Sequence, residues 1–236
     1  MTEVVIRNKA MLEKLEAWKD KFLGLGEHTN SEYMTYSTQE ALDNPEYYCD
    51  EEYLQYQMSI GDKHSGFPEE HMSMPINRMF KKNPAVLEEV RNEIKYDFAT
   101  EIGAHTSALL NYYPPGGFVG WHTNWNANAY QVLFTWSETG DGYFRYWDLE
   151  KQEMVHVPDV KGWHCRHYYF GHLNEPDKHC WHAAYAGCPR ITLAYKFINH
   201  LGSAGDQKTI HPVDPEKDAQ ARMLRDSLIE EVQSEE

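Results

Sequence analysis

Six short stretches of β-type residues, separated by turn residues, dominate the middle and later part of this 236-residue chain and limit most strongly how it can fold. Glycine and proline favour chain reversal, and turn sequences such as Pro114-Pro115-Gly116-Gly117 and Thr139-Gly140-Asp141-Gly142 separate the stretches. Short strands joined by such turns are typical of two packed antiparallel sheets. The predicted strands cover residues 105–113, 129–136, 142–147, 154–157, 163–170 and 190–198.

Helical patterns lie mainly towards the two ends of the chain. Apolar residues recur at helical spacing over residues 4–23, and Gly24 and Gly26 end that pattern. A second helix is predicted for residues 83–100, which begin with the favourable pair Asn83-Pro84, and a third for residues 212–232. The whole pattern predicts a mainly β fold with flanking helices, a double-stranded β-helix of the cupin-like jelly-roll kind.

The length of the chain predicts a single domain over residues 1–236, because β folds of this size commonly form one unit. Residues 1–100 would form a helical N-terminal support, residues 101–200 the jelly-roll core and residues 201–236 a C-terminal helix. The polar, tyrosine-rich residues 27–62 within the support are a candidate lid over a site. A surface loop with short helices is the favoured interpretation of that segment.

The charge and the cysteines of the chain limit its partners. A net charge of −15 argues against nucleic-acid backbones, which call for a positive surface. The polar N-terminus and the lack of a long apolar run predict a cytoplasmic protein with no membrane partner. The four cysteines lack Cys-x-x-Cys spacing. Cys180 and Cys188 bracket His182 and raise thiolate ligation as an alternative, but reduced, partly buried thiols are the favoured interpretation.

Histidines in two distant stretches indicate a metal centre. His122 and Asn124 are two residues apart, so on a β-strand an imidazole and an amide oxygen would point to the same side and could share one ion. His182 would supply the second imidazole. His179 is the alternative, and His182 is favoured because the two alanines that follow it leave space beside a metal.

A cationic and a hydroxyl side chain are predicted to lie next to that centre. Arg190 and Thr192 are two residues apart on the last predicted core strand and therefore share a face. The planar guanidinium can donate two parallel hydrogen bonds to a carboxylate, which a lysine cannot do. The pair therefore predicts a carboxylate pocket.

The order of these residues resembles the iron(II)- and 2-oxoglutarate-dependent oxygenases, particularly their prolyl-hydroxylase-like and dealkylase-like branches. The resemblance covers roughly residues 104–197 and consists of the first histidine motif, the distant histidine and Arg-x-Thr. Asn111-Tyr112-Tyr113 is similar to the Asn-x-Tyr segment with which several members hold oxoglutarate.

The resemblance implies an oxidoreductase with iron(II) and 2-oxoglutarate as cofactors. As a dioxygenase it would use O2 to hydroxylate a C–H bond of a small molecule or of an amino-acid or protein side chain. It would place His122 and His182 on the iron and pair Arg190 with the distal carboxylate of oxoglutarate. It also implies that this cosubstrate contacts Thr192, Tyr113 and Asn111.

Asn124 departs from the family pattern, which usually has Asp or Glu at this position. Its amide oxygen could coordinate iron(II), which accepts hard oxygen donors. It could instead hold a water beside a two-histidine centre, as in oxygenases and radical halogenases that lack the carboxylate. In the third interpretation the site is degenerate and binds no metal. Hydroxylation is favoured over halogenation, because Asn is larger than the Gly or Ala usual in halogenases.

Four further residues are candidates for substrate contacts. Trp121, Trp125 and Asn126 flank the first histidine motif and could line a substrate channel, and Arg145 lies in an aromatic strand where it could bind an acidic substrate. Two other classes of function remain open. One is a non-catalytic jelly-roll binding protein, and the other is a cupin-type metalloenzyme that uses no oxoglutarate.

Overall fold

Two antiparallel β-sheets face each other at the centre of the molecule. The computed structural model describes residues 2–61, 68–79, 84–124, 130–170, 179–198 and 230–231. Eight strands form the core of the two sheets: β4 (Thr106–Tyr113), β5 (Gly117–His122), β6 (Tyr130–Ser137), β7 (Gly142–Asp148), β8 (Glu153–Pro158), β9 (Gly162–Tyr169), β10 (His182–Ala186) and β11 (Arg190–Ile198).

The strand order is that of a jelly roll. The large sheet has the core order β9-β6-β11-β4, and the small sheet has the order β8-β7-β10-β5. Strands β4 to β7 alternate between the two sheets, and β8 to β11 do the same, so the chain winds around a common interior. The predicted double-stranded β-helix is confirmed.

All six predicted strands are present, and two more carry the histidines of the candidate metal centre. The additional strands are β5 and β10. Pattern reasoning missed them because β5 is interrupted by glycines and β10 consists largely of alanine, residue types that are depleted in strands.

Short strands extend and connect the two sheets. Strand β3 (His71–Pro75) pairs with β4 through its last residues and with β5 through its first, so it joins the sheets along one side. Strand β2 (Thr35–Tyr36) pairs with β3. Strand β1 (Thr2–Val5) lies beside β9 and pairs with β12 (Glu230–Glu231).

The terminal pairing corrects two helix predictions. The first helix does not begin at residue 4, because residues 2–5 form β1 and the helix starts after Asn8, whose side chain accepts a hydrogen bond from the Met11 amide at 3.0 Å. Within the predicted helix 212–232, residues 230–231 are a strand instead. The rest of that segment lies outside the described residues.

Helices cover the outer face of the large sheet. They are α1 (Lys9–Gly24) and a second run made of α5 (Pro84–Asn92), a π-helical turn (Glu93–Asp97) and α6 (Phe98–Glu101). The run matches the predicted helix 83–100, although Asn83 itself lies outside the described residues. Its apolar stripe packs with that of α1 on the outward side chains of β4, β6 and β11. The Trp18 indole donates to the Val90 carbonyl at 2.8 Å and fixes α1 against α5.

The segment considered as a lid instead covers the outer face of the small sheet. This segment contains α2 (Gln39–Asp43), a 3₁₀ turn (Tyr47–Cys49) and α3 (Glu51–Ile60). Helix α4 (Ile76–Met79) lies outside it and follows β3. The buried side chains of the segment pack against outward residues of β5, β7 and β10. None of the described residues 27–61 lines the cavity between the sheets. Among the described helices, none is long and apolar enough to cross a membrane.

Candidate metal centre

Two histidines on neighbouring strands of the small sheet face each other in the interior. Strand β5 ends at His122 and β10 begins at His182, and the two residues are paired across the strands. Their ring centroids are 4.1 Å apart, and both side chains are buried. The fold thus brings together two imidazoles that are 60 residues apart in the sequence.

Both rings are oriented by the same type of backbone contact. Nδ1 of His122 lies 2.8 Å from the Gly120 carbonyl, and Nδ1 of His182 lies 2.8 Å from the Cys180 carbonyl. A carbonyl only accepts hydrogen bonds, so each Nδ1 carries the proton and the lone pair of each neutral ring is on Nε2. Histidines that bind metals commonly have their other nitrogen held in this way.

Asn124 lines the same cavity as this pair, whereas the side chains of the alternative ligands do not. It follows the end of β5, is half-buried and lines the same cavity as the two histidines. His179 is absent from the lining of that cavity. Neither Cys180 nor Cys188 is among the described residues that line the cavity. Within the described ranges, no group of three His, Cys, Asp or Glu side chains could hold a metal ion.

Arg190 lies on the facing wall, which the large sheet forms. It is 2% exposed, and its Nη1 donates to Thr192 Oγ1 at 2.8 Å. Its Cζ is 5.4 Å from the ring centroid of Tyr113, the residue opposite it on β4. Burial raises the pKa of Tyr113, so its phenol stays protonated and is a hydrogen-bond donor at neutral pH. The predicted carboxylate-binding residues are therefore neighbours.

Asn111 is next to this group and has an unusual environment. It is opposite Thr192 on β4, in phase with Tyr113, and it is completely buried. Neither its side-chain nitrogen nor its side-chain oxygen has a hydrogen-bond partner among the described residues. An amide buried without partners is costly to a fold, and the Tyr113 phenol is the polar group that acts on it.

A buried carboxylate that the sequence analysis missed holds Arg190 from behind. Asp159 lies between β8 and β9, and its Oδ2 accepts from Arg190 Nε at 2.8 Å. Nη1 of Arg166 donates to Asp159 Oδ1 at 3.3 Å, and His164 Nε2 lies 3.2 Å from the same oxygen and 2.9 Å from that Nη1. Gly142 is needed at the edge of this cluster, because a Cβ atom there would lie 2.9 Å from Asp159 Oδ2.

The charges of this cluster follow from its partners. Burial of Asp159 acts to raise the pKa of its carboxyl group, but the Arg190 guanidinium, with His164 and Arg166, outweighs burial and holds that pKa well below its usual value. Burial lowers the pKa of His164, so its ring is neutral at pH 7. Arg190 is therefore held by an ionised carboxylate, and its orientation is fixed before any ligand arrives.

One cavity of about 160 Å³ connects the histidines with Arg190, which is room for more than a single water. Strand β4 turns into β5 near Tyr113, so His122 lies at the opposite end from the Tyr113–Arg190 pair. We call these the arginine end (Arg190, Thr192, Tyr113) and the histidine end (His122, His182, Asn124, and Lys196, the last of these on β11). No acidic side chain is among the described residues that line the cavity.

Two residues predicted to contact a substrate point away from this cavity. The Trp121 indole donates to the Asp50 carbonyl at 2.7 Å, in the outer cluster of the small sheet. Nη1 of Arg145 donates to the Cys49 carbonyl at 2.7 Å, also on the outer side. Strand alternation explains both orientations. Trp121 directly precedes the inward residue His122, and Arg145 directly follows the inward residue Phe144. The prediction that they line the channel is wrong for this cavity, and Trp125 and Asn126 lie outside the described residues.

Two cavity residues missed by the sequence analysis were marked by simple patterns. Lys196 is in phase with Arg190 and Thr192 on β11, so the same alternation predicts that it faces inward. Gln131 lies opposite it on β6, where a polar residue precedes an apolar run. Asp159 had only a weak signal, that of an acid in a short turn after proline.

Comparisons with known proteins give no family for this chain. No family model and no curated protein matches it. Among solved structures, it is similar to a Pseudomonas putida prolyl-4-hydroxylase, with 13% identity, 69% of this chain and 90% of that one covered, and a TM-score of 0.30. A ribosomal oxygenase, YcfD from Escherichia coli, is similar with 15% identity and a TM-score of 0.29. That match covers 71% of the present chain and 49% of YcfD.

An oxalate oxidase is also similar, with 8% identity and a TM-score of 0.29. This match covers 52% of the present chain and spans 62% of the length of the oxidase. The jelly-roll architecture of the present chain follows from its own strand order, with β9-β6-β11-β4 facing β8-β7-β10-β5.

Proposed function

We propose that this protein is an iron(II)- and 2-oxoglutarate-dependent oxygenase that hydroxylates a C–H bond of its substrate. One observation carries the proposal. Two buried imidazoles with matching tautomers face each other at one end of a cavity, and a buried Arg190 beside Thr192 lines the same cavity. This combination suits a ligand that chelates a metal at one end and carries a carboxylate at the other.

The residues of the histidine end fit iron(II). His122 and His182 would bind it through Nε2, because their Nδ1 protons are held by the Gly120 and Cys180 carbonyls. Asn124 would offer its amide oxygen or hold a water. Imidazole and oxygen donors both suit iron(II), and a neutral amide leaves more positive charge on the ion than a carboxylate would.

The residues of the arginine end fit the distal carboxylate of oxoglutarate. Nε of Arg190 is occupied by Asp159 and Nη1 by Thr192, so the guanidinium is locked in one orientation. Thr192 accepts from Arg190 through its oxygen, and its own hydroxyl proton is then available for a carboxylate. Tyr113 would donate through its protonated phenol, and Asn111 would gain partners for its buried amide.

In this proposal the cofactors supply the oxidation chemistry, and the protein positions them and excludes water. Iron(II) and oxoglutarate, when bound, would activate O2 for C–H oxidation as oxoglutarate is decarboxylated to succinate. The chain supplies position and a dry environment. Phe144 and Phe170 pack on the His182 ring, with centroid distances of 5.7 and 4.8 Å, and exclude water from one side of the centre.

Anaerobic titration of the purified protein with iron(II) and oxoglutarate tests the proposal. We expect the weak visible metal-to-ligand charge-transfer band, and its loss in His182→Ala. His105→Ala is the matched control, because His105 is exposed and lies outside the cavity. Replacing a metal ligand should weaken iron binding by about a hundredfold or more, since loss of a residue that only orients a ligand costs about 10- to 100-fold.

The same titration separates the alternatives. Iron uptake without the band would favour a cupin-type metalloenzyme that uses no oxoglutarate. No uptake would favour a non-catalytic binding protein, a class supported by the neutral Asn124 where a carboxylate is usual. If the band forms, products made in the presence of chloride distinguish hydroxylation from radical halogenation.

A further inference from the structure

The wall of the cavity carries two cationic side chains, and the proposed function uses only one of them. Arg190 lies at the arginine end, and Lys196 lies at the histidine end of the same strand. No acidic side chain is present among the described lining residues, although the chain as a whole has a net charge of −15. A cavity with only cations inside an acidic protein favours anionic ligands.

Lys196 differs from Arg190 in its surroundings. Arg190 is bonded to Asp159 and Thr192, whereas the Lys196 ammonium makes no hydrogen bond or ion pair with any of the described residues. The side chain is half-buried, and burial lowers the pKa of its ammonium group. An anion that binds beside this ammonium would gain a charge-assisted hydrogen bond from it.

A second polar side chain lies next to Lys196. Gln131 is its partner across strands β11 and β6, and it is 4% exposed. Residues paired in this way have side chains close enough to contact one ligand, and both line the cavity. Leu109 and Leu133, also on the wall, supply apolar surface nearby. An ammonium and an amide on an apolar wall form a small site for a carboxylate.

The anion at Lys196 is distinct from the one proposed at Arg190. The two residues are six positions apart on one strand, which corresponds to about 20 Å along β11. Lys196 therefore lies at the histidine end of the cavity, out of reach of the carboxylate that Arg190 would bind.

We propose that Lys196, assisted by Gln131, binds a carboxylate of the substrate, so that the substrate is a small carboxylic acid. This inference rests on the proposed oxygenase function and narrows its substrate class. It also explains how a strongly acidic protein can attract an anion into its interior: the local charge of the cavity is opposite to that of the whole chain.

The test compares acids with their uncharged counterparts. Wild-type protein loaded with zinc(II), a diamagnetic substitute for iron(II), and with oxoglutarate is screened by ligand-observed saturation-transfer NMR. The probes are free amino acids, hydroxy acids and dicarboxylic acids, each with its primary amide. Binders are then titrated calorimetrically against wild type, Lys196→Met, Lys196→Arg and the control Lys151→Met, which changes an exposed lysine.

We expect at least one acid to bind and its amide to bind about tenfold more weakly or worse, as for the loss of one charged hydrogen bond. Lys196→Met should show the same loss, while Lys196→Arg and Lys151→Met bind the acid as wild type does. Oxoglutarate affinity should be unchanged in all variants, which also shows that they are folded.

Three results would overturn this assignment: no acid binds, amides bind as well as acids, or Lys196→Met retains full affinity. A loss of oxoglutarate affinity in Lys196→Met would also overturn it, because Lys196 would then belong to the cosubstrate site. Failure of the proposed function has a different signature, since wild type would not bind oxoglutarate at all. The acids are then titrated against metal-free protein, where loss in Lys196→Met alone still supports a carboxylate site.

Discussion

The two ends of the cavity differ in how completely the protein itself satisfies their polar groups. At the arginine end, Arg190 is bonded to Asp159 and Thr192 and needs no ligand to hold its orientation. At the histidine end, Lys196 makes no hydrogen bond or ion pair with the described residues. A preorganised site suits a cosubstrate that is the same in every reaction cycle. A cation whose only hydrogen-bond partner would be the bound ligand suits selection among substrates.

Replacing Arg190 is the most severe way to disturb this comparison. Arg190→Ala should weaken oxoglutarate binding by about 2–5 kcal/mol, the cost of truncating one partner of a buried charged pair, and leave iron binding within about twofold. Titration of the charge-transfer band measures both. Arg190→Lys keeps the charge without the planar fork and should recover only part of the affinity. Loss of iron binding with unchanged oxoglutarate affinity would contradict the assigned role.

Asp159 allows the stability of the arginine end to be separated from its binding function. Arg190→Ala also leaves a buried carboxylate without its closest cation, which should destabilise the fold by about 3–5 kcal/mol. Arg190→Ala combined with Asp159→Asn removes both charges and should regain much of that stability. The double variant should still bind oxoglutarate as poorly as Arg190→Ala. Recovery of binding in the double variant would mean that Arg190 acts only through the fold.

The sequence predicted the position of Arg190 but not that of Asp159, the carboxylate that binds it. Alternation on β11 was sufficient to place Arg190 beside Thr192, and the same alternation would have found Lys196. Asp159 could not be found in this way, because its contact with Arg190 spans 31 residues and depends on how β8 and β9 pack. Periodicity predicts the face on which a side chain lies but not its partner from a distant turn.

The histidine end shows the complementary limit. The sequence indicated His122 and His182 from their residue types and spacing, yet the strands that carry them were not predicted. Pairing across β5 and β10 brings the rings together, and backbone carbonyls set their tautomers. Trp121 and Arg145 were misplaced for the same reason, since without the strand register an inward and an outward residue look alike.

Lowering the pH should weaken the arginine end more than the rest of the fold. The pKa of Asp159 is lower in the folded protein than in the unfolded chain, so its stabilising effect is present above the usual aspartate pKa and is lost as the pH falls below about 4. His164 also makes the protein less stable as the pH falls, but at higher pH. Because its pKa is lower in the folded protein, the unfolded chain binds a proton at this position first as the pH falls through about 6.5, and that binding favours unfolding.

Urea unfolding at pH 7, 5 and 3.5 measures this effect in wild type and in Asp159→Asn. The variant should be less stable at pH 7, by about 3 kcal/mol. The difference between the two proteins should begin to shrink at pH 3.5, where the unfolded chain starts to bind the proton, and most of the decrease should come at still lower pH, as the carboxyl group of the folded protein is protonated. A difference that stays constant over this range would mean that Asp159 does not have a lowered pKa.

Arg145 provides the smallest effect and tests whether the outer face of the small sheet takes part in the site. Its Nη1 donates to the Cys49 carbonyl at 2.7 Å, its Nε lies 3.1 Å from His156 Nδ1, and its guanidinium stacks on Tyr143. Arg145→Met keeps much of the apolar stem and removes these contacts, so the free energy of unfolding should fall by about 1–2 kcal/mol. Affinities for iron(II) and oxoglutarate should match wild type. Full stability combined with altered ligand binding would contradict this expectation. It would mean that Arg145 contacts the ligand and that the segment containing Cys49 moves during binding.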